Sequence, residues 1–205
     1  MPGKHVSSDI AFTDTIKALQ VRHGSRKAYA RMEQAGGWET TITADIAAFI
    51  GEQTSFFLAS VNADGQPYIQ HRGGPKGFLR ILDERTLGFA DFRGNRQYIS
   101  VGNLQENPKV HLFLIDYAHQ RRVKIWGEAT VVHDAPELVA ELTNADHDGK
   151  PERAIVIRIA AWDANCPQHI PQRFEAADVA AALAARDARI AALESRIAEL
   201  SRPDH

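Results

Sequence analysis

The hydrophobic rhythm of the chain changes along its length. From Thr13 to Met32, apolar side chains at Ile16, Leu19, Ala28, Tyr29 and Met32 recur with charges between them, which predicts helix interrupted near Gly24 and ended by Gly36-Gly37. A second helix is predicted from Thr43 to Glu52, with Thr43 as its cap and Ile46, Phe49 and Ile50 on one face. The period then shortens to alternation. Ser55 to Asn62 reads as a strand, Asn62-Ala63-Asp64-Gly65 as a hairpin turn, and Tyr68 to Arg72 as the returning strand. Gly77 to Leu82 and Thr86 to Asp91 follow, joined by Asp83-Glu84-Arg85, and then Val110 to Asp116. In Arg122 to Val132, Val123, Ile125, Gly127, Ala129 and Val131 alternate with polar or bulky residues, so one face is buried. Ile155, Ile157, Ile159 and Ala161 repeat that pattern in a last strand ending at Trp162.

Two helices are expected between these strands, Asn95 to Glu106 and Pro136 to Asn144, the first stopped by Asn107-Pro108. Short strands joined by hairpins, with helices outside them, imply a mainly β protein: a six- to seven-stranded antiparallel barrel with flanking helices. The tail from Glu175 to Arg202 is alanine-rich, and Val179, Leu183, Arg186, Ile190, Leu193, Ile197 and Leu200 follow spacings of four and three. That pattern fits a long C-terminal helix, either a short coiled coil with Arg186 in its seam or an amphipathic helix packed on its own domain. The organisation read from the chain is therefore an N-terminal helical segment (1–42), a barrel domain (43–174) and a C-terminal helix (175–205).

Composition narrows the functions open to this fold. Lys and Arg number 24 against 26 Asp and Glu, so no overall basic field exists to hold nucleic acid or an anionic membrane. Any anion site must be local. The single cysteine, Cys166, allows neither an intrachain disulfide nor a thiolate cluster. No apolar run approaches the roughly 20 residues of a membrane helix, and the polar start of the chain lacks a signal core, which together predict a cytoplasmic protein.

There is no GxGxxG after a strand, no GxxxxGK[ST], no HExxH, no GxSxG and no pair of CxxC elements. What stands out instead is His71-Arg72-Gly73-Gly74-Pro75-Lys76-Gly77-Phe78-Leu79-Arg80, followed by Asp91-Phe92-Arg93-Gly94-Asn95-Arg96-Gln97-Tyr98. These segments gather Arg72, Lys76, Arg80, Arg93 and Arg96 near glycine-freed amides and the start of a helix, a setting suited to a phosphomonoester. The bland alternative is solvated charge at strand ends. Cys166 and His169, three apart, make an incomplete zinc site and read as a packed or substrate-facing loop. His71 and His111 fall on strands; His71, flanked by glycines, is the better functional candidate.

Gln66-Pro67, the His71 to Phe78 run, the Gly94-Asn95-Arg96 turn and Asn103-Leu104-Gln105-Glu106-Asn107-Pro108-Lys109-Val110 occur in an order that resembles the FMN-binding split-barrel family related to pyridoxamine 5'-phosphate oxidase. The likeness runs from about Ile46 to Val132 and resumes from Arg153 to Phe174. It implies a homodimer with two interfacial FMN sites, acting on a small molecule by hydride transfer at the flavin N5. On this resemblance Lys76, Gly77, Phe78, Leu79 and Arg80 lie along a strand lining the flavin, with Arg80 near its phosphate and ribityl chain. Ala90 and Asp91 border the ring, and Asn95, Arg96 and Gln97 occupy the place of the family's Ser-Arg-Lys phosphate motif, Gln97 standing for its lysine. Arg122 takes the place of a glutamine, and either it or Arg173 would supply positive charge near N1. Trp162 and Arg173 match the flavin-covering segment, where Asn165 to His169 replaces the family's arginine-X-histidine substrate pair and so argues for a different substrate. Ser25-Arg26-Lys27 copies the phosphate motif but precedes every predicted strand, and reads as exposed helix. A non-catalytic flavin-binding module, or the same barrel using F420 or haem, remains open.

Overall fold

A computed structural model describes residues 5–143, 149–165 and 167–201 of the chain. These fall into two compact units. One takes the described residues up to Ile115 and those from Arg122 to Asn165; the other takes Asp116–Arg121 and the described residues from Pro167 onward.

In the first unit, helices α1 (Asp14–Arg22), α2 (Arg26–Gln34) and α3 (Ala44–Gly51) precede the sheet. The Thr43 hydroxyl accepts from the Ile46 amide, as its capping position requires, and α3 buries Ile46, Phe49 and Ile50 in the core. The strands are β1 (Ser55–Val61), β2 (Pro67–Gly73), β3 (Arg80–Asp83), β4 (Thr86–Phe92), β5 (Lys109–Asp116), β6 (Arg121–Val132) and β7 (Pro151–Asn165), with α4 (Ile99–Glu106) and α5 (Pro136–Leu142) between them. They form one sheet in the order β2-β1-β5-β6-β7-β4-β3. β1 and β2 join at the turn read from Asn62 to Gly65, where the Gly65 amide donates to the Asn62 carbonyl and the Asn62 side chain accepts from Gln66.

The sheet rolls up. Phe56 of β1 meets Phe89 of β4 edge to face at 5.4 Å, and Arg72 of β2 reaches Asp91 of β4, although these strands stand far apart in the sheet order. Phe56, Leu58, Leu87, Phe89, Leu112, Leu114, Val123, Ile125, Ile155 and Ile157 fill the interior. The result is a seven-stranded antiparallel split barrel with helices outside it. Phe78 and Leu79 put their side chains into this core, Phe78 stacking on Phe56 at 5.6 Å. The strand predicted from Gly77 begins only at Arg80 because Gly77 takes φ +76° and the Phe78 amide turns back to the Pro75 carbonyl.

Residues before the barrel are held to it by aromatic contacts. Tyr29, Phe12 and Trp38 lead to Trp126 of β6, on which Trp38 stacks at 4.6 Å. His111 closes the row against Trp126 at 4.8 Å, and burial, helped by the Lys124 charge, holds its imidazole below the ordinary histidine range.

β6 and β7 shift register at Gly127, where an added Cβ would lie 2.5 Å from the Arg158 carbonyl oxygen. That neighbour is backbone and cannot swing aside. Gly127→Ala is therefore expected to destabilise the barrel by about 1–3 kcal/mol, as overpacking does, read as a lower urea midpoint; an unchanged midpoint would mean that the bulge yields freely.

In the second unit, Gln172 and Arg173 bind the Tyr117–Ala118 turn through backbone and side-chain hydrogen bonds, and α6 (Ala176–Leu200) follows. Among the described residues no helix is long and apolar enough to cross a membrane.

Candidate functional site

The core-facing rows of β4 and β7 end in charge. Leu87 and Phe89 share a phase with Asp91, and Ile155, Ile157 and Ile159 share one with Arg153; the two charged residues pair directly in the β4–β7 ladder. Arg72, at the end of β2, completes the group. Its Nη1 donates to Asp91 Oδ1 at 2.5 Å, while Arg153 Nε lies 3.3 Å from Asp91 Oδ2 without the alignment of a hydrogen bond. All three side chains are largely buried. Arg153 also binds Glu152, which accepts from Arg93 Nε at 3.0 Å, and lies 5.2 Å over the Tyr98 ring.

One carboxylate thus serves two buried guanidinium groups. Arg72 Nε and Arg153 Nε are buried donors with no hydrogen-bond partner among the described residues. Such donors are ordinarily satisfied, so the pair calls for a further acceptor. Burial pushes the neighbouring Glu152 carboxyl up, but Arg153 and Arg93 outweigh that and hold it below the usual range, so it stays ionised.

The loop after β4 closes the other side. Asn95 Oδ1 accepts from the Gln97 amide at 3.2 Å, and Arg96 (φ 60°) and Tyr98 (φ 55°) both adopt left-handed backbone, a strained state for side chains of that size. Those two residues delay the helix expected from Asn95, and α4 starts at Ile99. Its first turn faces the same cleft, fixed to the barrel by Ser100 Oγ donating to Gln70 Oε1 at 2.6 Å and by Asn103 donating to Ser60 at 3.0 Å. Arg72, Arg96 and Arg153 therefore line one cleft with the amino end of α4. The cleft encloses about 60 Å³, against roughly 300–1,000 Å³ for a drug-sized ligand pocket. That is space for a tetrahedral anion.

Of the residues singled out in the sequence, Arg72, Asp91, Asn95, Arg96 and Gln97 come together in this cleft. Ala90, next to Asp91 on β4, is buried on the opposite face with Leu142 and Ala154. Lys76 instead forms an exposed ion pair with Glu52 at 2.6 Å, and Arg80 begins the edge strand β3; neither lines the cleft. His71 alternates to the opposite face from Arg72, edge-on to Phe57 at 5.7 Å. Trp162 donates its indole N–H to the Thr41 carbonyl at 2.8 Å and packs against the core, and Arg122 Nε is buried without a partner among the described residues. Arg173, in the second unit, lies 4.7 Å over the Tyr117 ring, and His169 there is exposed at φ 67°. Cys166 lies outside the described residues. Arg153 and Glu152 were missed by the sequence reading, although Arg153 occupies the next core-facing place before Ile155.

An antiparallel split barrel with three arginines gathered in a cleft at one set of strand ends defines the class of protein. The profile of the pyridoxamine 5'-phosphate oxidase family matches residues 42–166, and the chain belongs to that family. No curated protein matches it. Among solved structures, HupZ from Group A Streptococcus is 19% identical with a TM-score of 0.51, covering 65% of this chain and 99% of HupZ. An FMN-binding protein from Syntrophomonas wolfei is 12% identical at a TM-score of 0.48, covering 71% and 97%. A FAD-binding protein from Mesorhizobium loti is 16% identical at 0.43, covering 60% and 94%.

Proposed function

We propose that this chain binds FMN with its phosphate in the Arg72–Arg96–Arg153 cleft and works as a homodimeric, flavin-dependent oxidoreductase on a small molecule. The observation that carries the reading is the pair of buried guanidinium Nε atoms left without an acceptor beside Asp91. A phosphomonoester supplies acceptor oxygens and two negative charges to a place where three arginines face two carboxylates and a helix start. Residues fit the group: Arg72 and Arg153 hold phosphate oxygens from the barrel side, Arg96 from the loop, and the α4 amides complete the cradle. Asp91 borders the start of the ring. Because that cleft alone holds too little volume for the ring, its remaining walls come from a second copy, where Arg122, Trp162 and the His71 face are the side chains to supply them. Bound FMN would supply hydride transfer at N5, the protein contributing orientation and electrostatics.

A second reading, a flavin-binding module without turnover, draws support from the cleft carboxylates: Asp91 and Glu152 are both engaged by arginine. The test separates the two. Purified protein, loaded with FMN and dialysed, should keep a flavin absorption spectrum that a reduced nicotinamide or candidate substrate bleaches and air restores. Retained colour without bleaching selects the module, and a colourless protein that leaves FMN fluorescence unchanged rejects both.

A further inference from the structure

We propose that α6 pairs with α6 of a second copy of this chain as a parallel two-stranded coiled coil, an association that does not rest on the cofactor reading. The helix runs 25 residues, which at about 1.5 Å per residue makes a rod of roughly 37 Å. None of its residues is buried, and its apolar row is open to solvent: Val179 is 44% exposed, Leu183 51%, Ile190 49%, Leu193 46%, Ile197 63% and Leu200 72%. An apolar seam of that length on a helix without a buried residue calls for a partner.

The order of spacings assigns the heptad. Steps of four then three place Leu183, Ile190 and Ile197 at a, and Val179, Arg186, Leu193 and Leu200 at d. Ile190 and Ile197 at a with Leu193 and Leu200 at d make the β-branched and leucine layers that favour two parallel strands. The flanking charges decide between orientations. Arg189 and Arg196 occupy g, whereas Asp187 and Glu194 occupy e. In a parallel pair each Arg189 faces the partner's Glu194, five residues on. An antiparallel pair sets g against g and e against e, opposing arginine to arginine and carboxylate to carboxylate. Arg186 is the polar residue in the seam, and its long stem lets the guanidinium leave the seam toward the partner's Asp187 at the adjoining e place. Such a residue weakens the pair but marks one register, because any slip would set the arginine against an apolar layer.

Disulfide trapping in the full chain tests this, with Cys166→Ser removing the native thiol. Leu193→Cys should cross-link almost completely to itself under a glutathione redox buffer, since a parallel pair sets like residues opposite one another, while Ser195→Cys on the outer face should stay largely reduced. Equal, low yields at both positions would overturn the pairing. Adding Arg189→Glu to Leu193→Cys should lower the yield several-fold, and Glu194→Arg on top of it should restore the yield. If Arg189→Glu raises the yield instead, the helices run antiparallel and the proposal fails. Because the readout is a covalent bond within α6, its failure is independent of whether FMN binds.

Discussion

Arg96→Gly is expected to weaken FMN binding by about 10- to 100-fold, the loss that goes with one charge-assisted bond of roughly 1.5–3 kcal/mol, while leaving the barrel folded. Glycine is the informative choice. Arg96 sits at φ 60°, where alanine would keep the backbone strain and glycine removes it, so stability should hold or rise by up to about 1 kcal/mol. Folding and binding then move in opposite directions, and neither can stand in for the other. Titrating the variant by flavin fluorescence gives the affinity, and urea unfolding the stability. Riboflavin, which lacks the phosphate, should bind the variant and the parent alike. If FMN affinity is unchanged, or if riboflavin weakens as much as FMN, Arg96 does not hold the phosphate.

The barrel was readable in the chain because its strands obey a period of two that few local preferences oppose. β6 is the plainest case: Val123, Ile125 and Ala129 are buried where the alternation put them. Thr43 and the Asn62 to Gly65 turn were likewise readable, since capping and turn geometry act through the residue itself and its immediate neighbours. The strand expected from Gly77 starts later for the opposite reason. The glycines there and Lys76 look like a phosphate loop, yet Phe78 and Leu79 follow burial, and the chain turns so that they reach the core. Local polarity lost to tertiary packing. The late start of α4 has a similar origin, because left-handed Arg96 and Tyr98 have no composition signal that separates them from a first helical turn.

The candidate cleft was half visible. Arg72 and Arg96 stood out through their glycine-rich surroundings, but Arg153 belonged to a strand read for its isoleucines. Continuing that same alternation backward by one step lands on Arg153, and continuing Leu87 and Phe89 forward lands on Asp91. A charge in the phase of a buried row is costly unless paired, so two such charges on neighbouring strands signal each other. That signal needed the β4–β7 pairing, which one sequence does not contain. The α6 spacing, by contrast, was fully written in the chain, Val179, Leu183, Ile190, Leu193, Ile197 and Leu200 falling on one helix.

Asp91→Asn is expected to be the most damaging single change in the barrel, lowering stability by about 3–5 kcal/mol because it leaves two buried guanidinium groups without their shared counter-charge. The side chains of Asp91, Arg72 and Arg153 are 9%, 14% and 11% exposed, so solvent screens the loss little. The same change makes the cleft more positive, and an anion that occupies it should recover part of what was lost. Ligand at one hundred times its dissociation constant contributes about 2.7 kcal/mol, so inorganic phosphate or FMN in that excess should raise the unfolding midpoint of the variant. At one fixed phosphate concentration the rise should be larger in Asp91→Asn than in the parent, since affinity grows when the competing carboxylate is removed. Parallel urea titrations with and without phosphate, at constant ionic strength, measure the difference. Equal shifts in the two proteins would mean that Arg72 and Arg153 do not face the anion, and that their unpartnered Nε atoms have only a structural meaning.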